Sequence, residues 1–195
     1  MLIAFFASCI SSHIAAQPVS KKAAPVASTP PPQAQACASC HGPEGNSVTP
    51  GIPSIAGQPR VYLENTLVLT REGLRGNQVM QSLLKGRSDP EIIALSKHFS
   101  AQSVRTQASP PDAALVKQGR ELAVKLRCAS CHDKTFRGRE QMPRLAAQRE
   151  EFLNTRMVVL RDKPPPGTDT IMSATLHGVS NGEIKALAHY LAQLR

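Results

Sequence analysis

The sequence predicts an all-α protein made of two tandem copies of one small domain. Three observations carry that expectation. The pentapeptide Cys-Ala-Ser-Cys-His stands at 37–41 and again at 128–132, 91 residues later. Collinear matches surround both copies. Pro53–Gln58 pairs with Pro143–Gln148 and Tyr62-Leu63 with Phe152-Leu153 at an offset of 90, while Met80, Gly86, Ser88 and Glu91-Ile92 pair with Met172, Gly178, Ser180 and Glu183-Ile184 at 92. Finally, apolar residues recur at helical spacing in both halves, and no stretch alternates convincingly with the period of a strand.

Each element has a local reason. The 23–36 stretch is rich in Pro, Ala and Gln, which predicts an extended leader. It runs almost into Cys37, so the helix bearing the first pentapeptide must be very short. In the second half Asp112 can cap a helix over Ala113–Arg127, with Leu115, Leu122 and Leu126 on one face. Gly119 lies inside that helix, which is costly unless another helix crosses closely there. Middle helices are expected at Pro59–Arg71 and Gln148–Arg161. The final helices open with matched capping boxes, Ser88-Asp89-Pro90-Glu91 and Ser180-Asn181-Gly182-Glu183, and run to about Ser100 and Leu194. A Met-bearing loop precedes each final helix. The boundaries that follow are a signal at 1–16, a leader at 17–36, domains at 37–101 and 112–195, and a linker at 102–111.

The pentapeptide carries the chemistry. Cys-x-x-Cys-His is the attachment signature of c-type haem. Cys37 with Cys40, and Cys128 with Cys131, sit one helical turn apart and reach the two vinyl groups of one porphyrin. His41 and His132 then become the proximal iron ligands. Two covalently bound haem c groups are therefore expected. They would also supply core mass to domains of roughly 65–85 residues, a size that usually needs a staple. Aromatic residues make up only 4% of the chain and Trp is absent, so side chains alone would give a thin core.

The repeat selects the sixth ligand. Between His41 and Ser100 Met80 is the single Met, and of Met142, Met157 and Met172 only Met172 has a Met counterpart. Met80 and Met172 are thus assigned to the two irons. Met157 matches Leu67 and reads as core, and Met142 matches Ile52 and reads as packing. His98 matches Tyr190, His177 matches Lys85 and His189 matches Lys97, so none of the three repeats as a ligand. Thioether ligation raises the potential relative to bis-His haem and closes the iron to substrate, so an electron carrier rather than an enzyme is expected. Pro53 and Pro143 follow the proximal loops, and their carbonyls are candidates to accept the His Nδ1–H.

Charge and cysteine usage bound the partners. The net charge is +9, with +1 over 37–100 and +5 over 112–195. No aromatic interleaving or binding motif accompanies it, which argues against nucleic acid. A basic second domain suits an acidic redox partner or an anionic membrane surface. Cys9 is the one Cys outside the pentapeptides. It lies in the apolar stretch Leu2–Ile14, which resembles a secretory signal with a small-residue exit near Ala15-Ala16. The stretch is too short to span a bilayer and has no Lys or Arg before it. Export to the periplasm is the expectation.

With these residues in place the chain resembles the dihaem cytochrome c4 family, and it is similar to the cytochrome subunit of flavocytochrome c sulfide dehydrogenase. The resemblance rests on Cys37–Gly42 with Gly45-Asn46-Ser47, Pro53–Gln58 with Tyr62-Leu63, Gly73-Leu74-Arg75, Met80 and the final-helix pattern. It implies two tandem class I cytochrome c-like domains, each wrapped around one covalent haem, with the His/Met ligands named above. It also implies a two-fold-like packing of the domains, and periplasmic respiratory electron transfer towards a terminal oxidase. Asp133 replaces the Gly that follows the proximal His, and Asp162-Lys163-Pro164 replaces the Gly-Leu-Arg region. These departures bear on the propionate contacts and the interdomain surface.

A second class of reading makes the chain the haem subunit of an oxidoreductase complex, with a flavoprotein or dehydrogenase as partner, or a haem enzyme with an exchangeable distal ligand. A third, four Cys as a structural zinc site or thiol redox pairs, explains neither the His after both pairs nor the paired Met residues.

Overall fold

The computed structural model describes residues 30–166, 168 and 170–195. The expected signal, with Cys9 and His13, lies outside them. The order is α1 (Ala34–His41), a 3-10 turn (Pro43–Gly45), α2 (Arg60–Arg71), α3 (Gln78–Leu84) and α4 (Asp89–Ser100). The second half continues with α5 (Ala113–Lys125), α6 (Ala129–His132), α7 (Glu150–Asp162), α8 (Thr170–Leu176) and α9 (Asn181–Gln193). Among the described residues β-pairing is confined to an isolated bridge between Arg139 and Met142. The all-α expectation holds.

Three local expectations change. Ala34–Ala36, assigned to the leader, form the first turn of α1, and Ala34 is buried. The helix capped by Asp112 stops at Lys125 rather than Arg127. Arg127 turns left-handed (φ 56°), and a separate short helix, α6, carries the second pentapeptide. Met80 and Met172 lie on helices α3 and α8 rather than in loops. Asn77 makes α3 possible by accepting the Met80 N–H at 2.9 Å, a side-chain N-cap.

The expected caps are formed. Asp112 accepts from the Ala114 and Leu115 N–H groups at 2.8 and 3.2 Å. Glu91 and Glu183 reach back to the Ser88 and Ser180 N–H groups, each at 2.8 Å. Those donors hold both carboxyls below the usual range, Glu91 down to about 2. Gly119 packs against the Ala186 carbonyl, and a Cβ there would stand 2.6 Å from Tyr190 Cβ. The small residue is therefore what lets α5 and α9 cross.

The two cores are unequal. The second domain buries a cluster of thirteen residues, among them Leu122, Leu153, Met157, Ile184 and Leu187. The corresponding cluster of the first is Ala34, Leu63, Leu95 and Phe99. The repeat compensates for size at one point. Phe136 is buried in the second domain, and Gly45 takes its place in the first. A Cβ on Gly45 would stand 2.9 Å from Phe99 Cδ1, and Phe99 itself replaces the smaller Leu191.

Candidate haem sites

In the first domain α1 presents Cys37, Cys40 and His41 within five residues of one short helix. Gly42, at φ 78°, turns the chain sharply after the His. The Ile55 and Ala56 N–H groups then donate to the Gly45 carbonyl at 2.8 and 3.0 Å. That pinning places the Pro53 carbonyl 2.8 Å from His41 Nδ1. The second domain repeats the device. Leu145 and Ala146 donate to the Phe136 carbonyl at 2.9 and 3.0 Å, and Pro143 O lies 2.9 Å from His132 Nδ1.

A carbonyl can only accept, so Nδ1 carries the proton in both rings and Nε2 carries the lone pair. Burial pushes both imidazoles below their ordinary pKa, opposed in part by the Pro carbonyls, so the rings stand neutral. His132 Nε2 is buried and has no hydrogen-bond partner. A neutral imidazole with a dry, unspent lone pair is costly unless something binds it. A haem iron fits that donor, and the paired Cys fit the ring's vinyl groups. Burial pushes the Cys37 and Cys128 thiols up, so they too stand neutral.

Met172 and Cys128 border the same core cluster. Met80 is half-buried on α3. Met157 is part of the core, as expected. The remaining histidines are occupied or peripheral. His189 is 3% exposed; its Nε2 accepts from Asp112 N–H at 2.9 Å and its Nδ1 donates to Glu150 Oε2 at 3.0 Å. Both nitrogens are spent on joining α5, α7 and α9. His98 stacks edge-on against Phe99, and His177 is exposed. No three of His, Cys, Asp and Glu converge as a metal cluster among the described residues, which leaves the structural-zinc alternative without a ligand set.

Asp133 takes the backbone conformation that Gly42 takes in the first domain, with φ 71° and ψ 153°. Its side chain accepts from Lys134 N–H at 2.7 Å and from the Thr135 hydroxyl. A non-glycine residue there stores roughly 1–3 kcal/mol. Asp133→Gly is therefore expected to stabilise the second domain by about 1 kcal/mol net of the exposed hydrogen bonds it loses. A lowered Tm would show that the Asp turn outweighs the strain.

The residues that join the domains were present in the repeat without an assigned role. Gln148 bonds both backbone groups of Ser54, and Gln58 bonds both backbone groups of Arg144. Asn46 holds the linker through Ser103 O and Arg105 N–H at 3.0 and 2.8 Å. Their signal in the sequence was a pair of matched polar residues, Gln58 and Gln148, preserved in both copies where an exposed position would have been free to vary.

A family model described as cytochrome c matches residues 116–195. Cytochrome c-554(548) of Halomonas halodenitrificans is 35% identical over 69 residues, which are 34% of this chain and 83% of that protein. The chain belongs to the cytochrome c family. Its two-domain organisation is that of the dihaem cytochromes c4. Cytochrome c4 of Azotobacter vinelandii is 28% identical over 83% of this chain and 86% of its own length. The crystal structure of reduced cytochrome c4 from Pseudomonas stutzeri superposes with a TM-score of 0.76, at 28% identity over 84% of this chain and 96% of that one. A thiosulfate dehydrogenase electron acceptor of Thiomonas intermedia is 28% identical over 83% of this chain and 80% of its length. The chain is accordingly a dihaem electron-transfer cytochrome with two covalent haem c groups.

Proposed function

We propose that this cytochrome carries single electrons through the periplasm from a dehydrogenase to a terminal oxidase. In this reading Cys37, Cys40, Cys128 and Cys131 form the thioether bonds, and His41 with Met80 and His132 with Met172 ligate the irons. The observation that carries it is the duplicated proximal geometry, an Nδ1–H fixed on a proline carbonyl in both pentapeptides, with the buried Nε2 of His132 left without a partner. Bound there, each haem supplies one-electron exchange between the ferric and ferrous states. The protein contributes rigidity. Each His ring is held by its Pro carbonyl, and α3 and α8 carry the Met side chains on helices, so reorganisation on electron transfer stays small.

Two further features support docking to other redox proteins. A groove of about 510 Å³ beside α6 is lined by Arg120, Arg127 and Lys134, with Val124, Phe136 and Tyr190 between them. Basic rims around an apolar floor suit an acidic partner and steer its approach. Burial, together with the charge of Arg75 from the other domain, lowers the Arg156 pKa. Neither pairs with a carboxylate among the described residues, so both are candidates to neutralise haem propionates. The relative named as a thiosulfate dehydrogenase electron acceptor points to a dehydrogenase of that kind as donor. Among the described residues, no helix is long and apolar enough to cross a membrane.

The test is turnover with partners. The reduced protein should be oxidised by oxidase-containing membranes of its host, at a rate that falls steeply as salt rises. Rapid oxidation that ignores ionic strength would remove the basic groove from the reading. No oxidation at any ionic strength would remove the oxidase.

A further inference from the structure

The domains are joined through the same two peptide groups that hold the proximal histidines. Ser54 N–H donates to Gln148 Oε1 at 2.7 Å, and Gln148 Nε2 donates back to Ser54 O at 2.8 Å. Arg144 N–H donates to Gln58 Oε1 at 2.9 Å, and Gln58 Nε2 donates to Arg144 O at 3.1 Å. The Ser54 N–H and the Pro53 carbonyl are two ends of one peptide unit, and that carbonyl accepts from His41 Nδ1 at 2.8 Å. The Arg144 N–H and the Pro143 carbonyl are likewise one unit, bonded to His132 Nδ1 at 2.9 Å. Two three-membered chains therefore cross the interface in opposite directions. Each runs from an imidazole N–H through a peptide to a glutamine of the other domain.

We propose that Gln148 and Gln58 are positioning residues that set haem potentials crosswise, Gln148 for the haem of His41 and Gln58 for the haem of His132. The inference rests on the ligand reading given above. A peptide whose N–H is accepted by a strong acceptor shifts its electron density towards the carbonyl oxygen. That oxygen then pulls harder on the Nδ1 proton, and the imidazole gains anionic character. A more anionic ligand favours ferric over ferrous iron and lowers the potential. Burial makes the effect specific. Gln58, Gln148 and Ser54 are 4%, 6% and 4% exposed, so water does not readily replace a lost acceptor, and the low local dielectric strengthens what is present. Gln148 Oε1 also accepts from Arg149 N–H at 2.9 Å, which fixes its amide in the accepting orientation.

Gln148→Met and Gln58→Met keep side-chain length and remove both hydrogen bonds. The test is a redox titration of each full-length, two-haem variant followed by NMR, which separates the haem-methyl signals of the two ferric haems. Gln148→Met should raise the midpoint of the His41 haem and leave the other in place, and Gln58→Met should do the reverse. A shift confined to the haem of the mutated domain, equal shifts of both, or no shift in a folded protein overturns the proposal. The Met-to-iron band recorded on the same samples keeps the two ideas apart. If the band persists while no crosswise shift occurs, the ligand reading stands and the glutamine role falls. Should a variant not assemble, the wild-type protein decides. By reciprocity, oxidation should slow amide exchange at Ser54 and Arg144 relative to the reduced state. Equal exchange in the two states overturns the proposal.

Discussion

Met172→His is expected to lower the potential of the second haem by a sizeable part of the roughly 0.8 V that axial ligands span, and to abolish its share of the Met-to-iron charge-transfer band. Met80→His should do the same to the first haem. A thioether sulfur is a weak, neutral donor that favours ferrous iron, whereas imidazole stabilises the ferric state. The two substitutions should act separately, because each Met lies on the short helix of its own domain, α3 or α8. Met157→Leu is the control. Met157 is 8% exposed within the second core, and a volume-conserving apolar exchange there costs under about 1.5 kcal/mol. It should leave both potentials and the whole band intact. If Met157→Leu removes the band and Met172→His spares it, the repeat has been misread and the ligand lies on α7.

Cys40→Ala and Cys131→Ala should each remove or loosen one haem, read as a mass short of one haem group in denatured protein. The structural consequence should differ between the domains. Among the described residues the core cluster of the first domain numbers four, so Cys40→Ala should melt α1, α2 and α4 together. The second domain retains its thirteen-residue cluster and the α5–α9 crossing at Gly119. Cys131→Ala should therefore leave a compact, helical second domain with slowed amide exchange on α9. Equal loss of helix in the two variants would show that the larger core is not self-sufficient. A wild-type mass equal to the bare processed chain, after maturation by haem-attachment machinery, would remove covalent haem altogether.

Much of this was legible in the sequence because the relevant forces are local or duplicated. The capping boxes at Ser88 and Ser180 act within four residues, so their patterns could be read directly. The proximal histidines announced themselves by spacing, and Pro53 and Pro143 by their matched offsets from them. Met80 and Met172 were singled out by the repeat alone, on the reasoning that a ligand must recur in both copies while a packing residue such as Met157 need not. The secondary structure around the Met residues was less legible. Short, polar segments carry little periodicity, and it is the Asn77 cap that makes the first of them helical.

By itself, then, the sequence determined the duplication, the helical class and the attachment motifs, because each depends on residue type at fixed spacing. Only the tertiary structure decided what joins the two copies. Gln58 and Gln148 were visible as a matched pair, but their partners are 86 and 94 residues away in the chain. The same holds for the tautomer of each proximal His and for the strained backbone at Asp133. All are settled by which buried donor meets which acceptor across the fold, and that meeting exists only once the domains are packed.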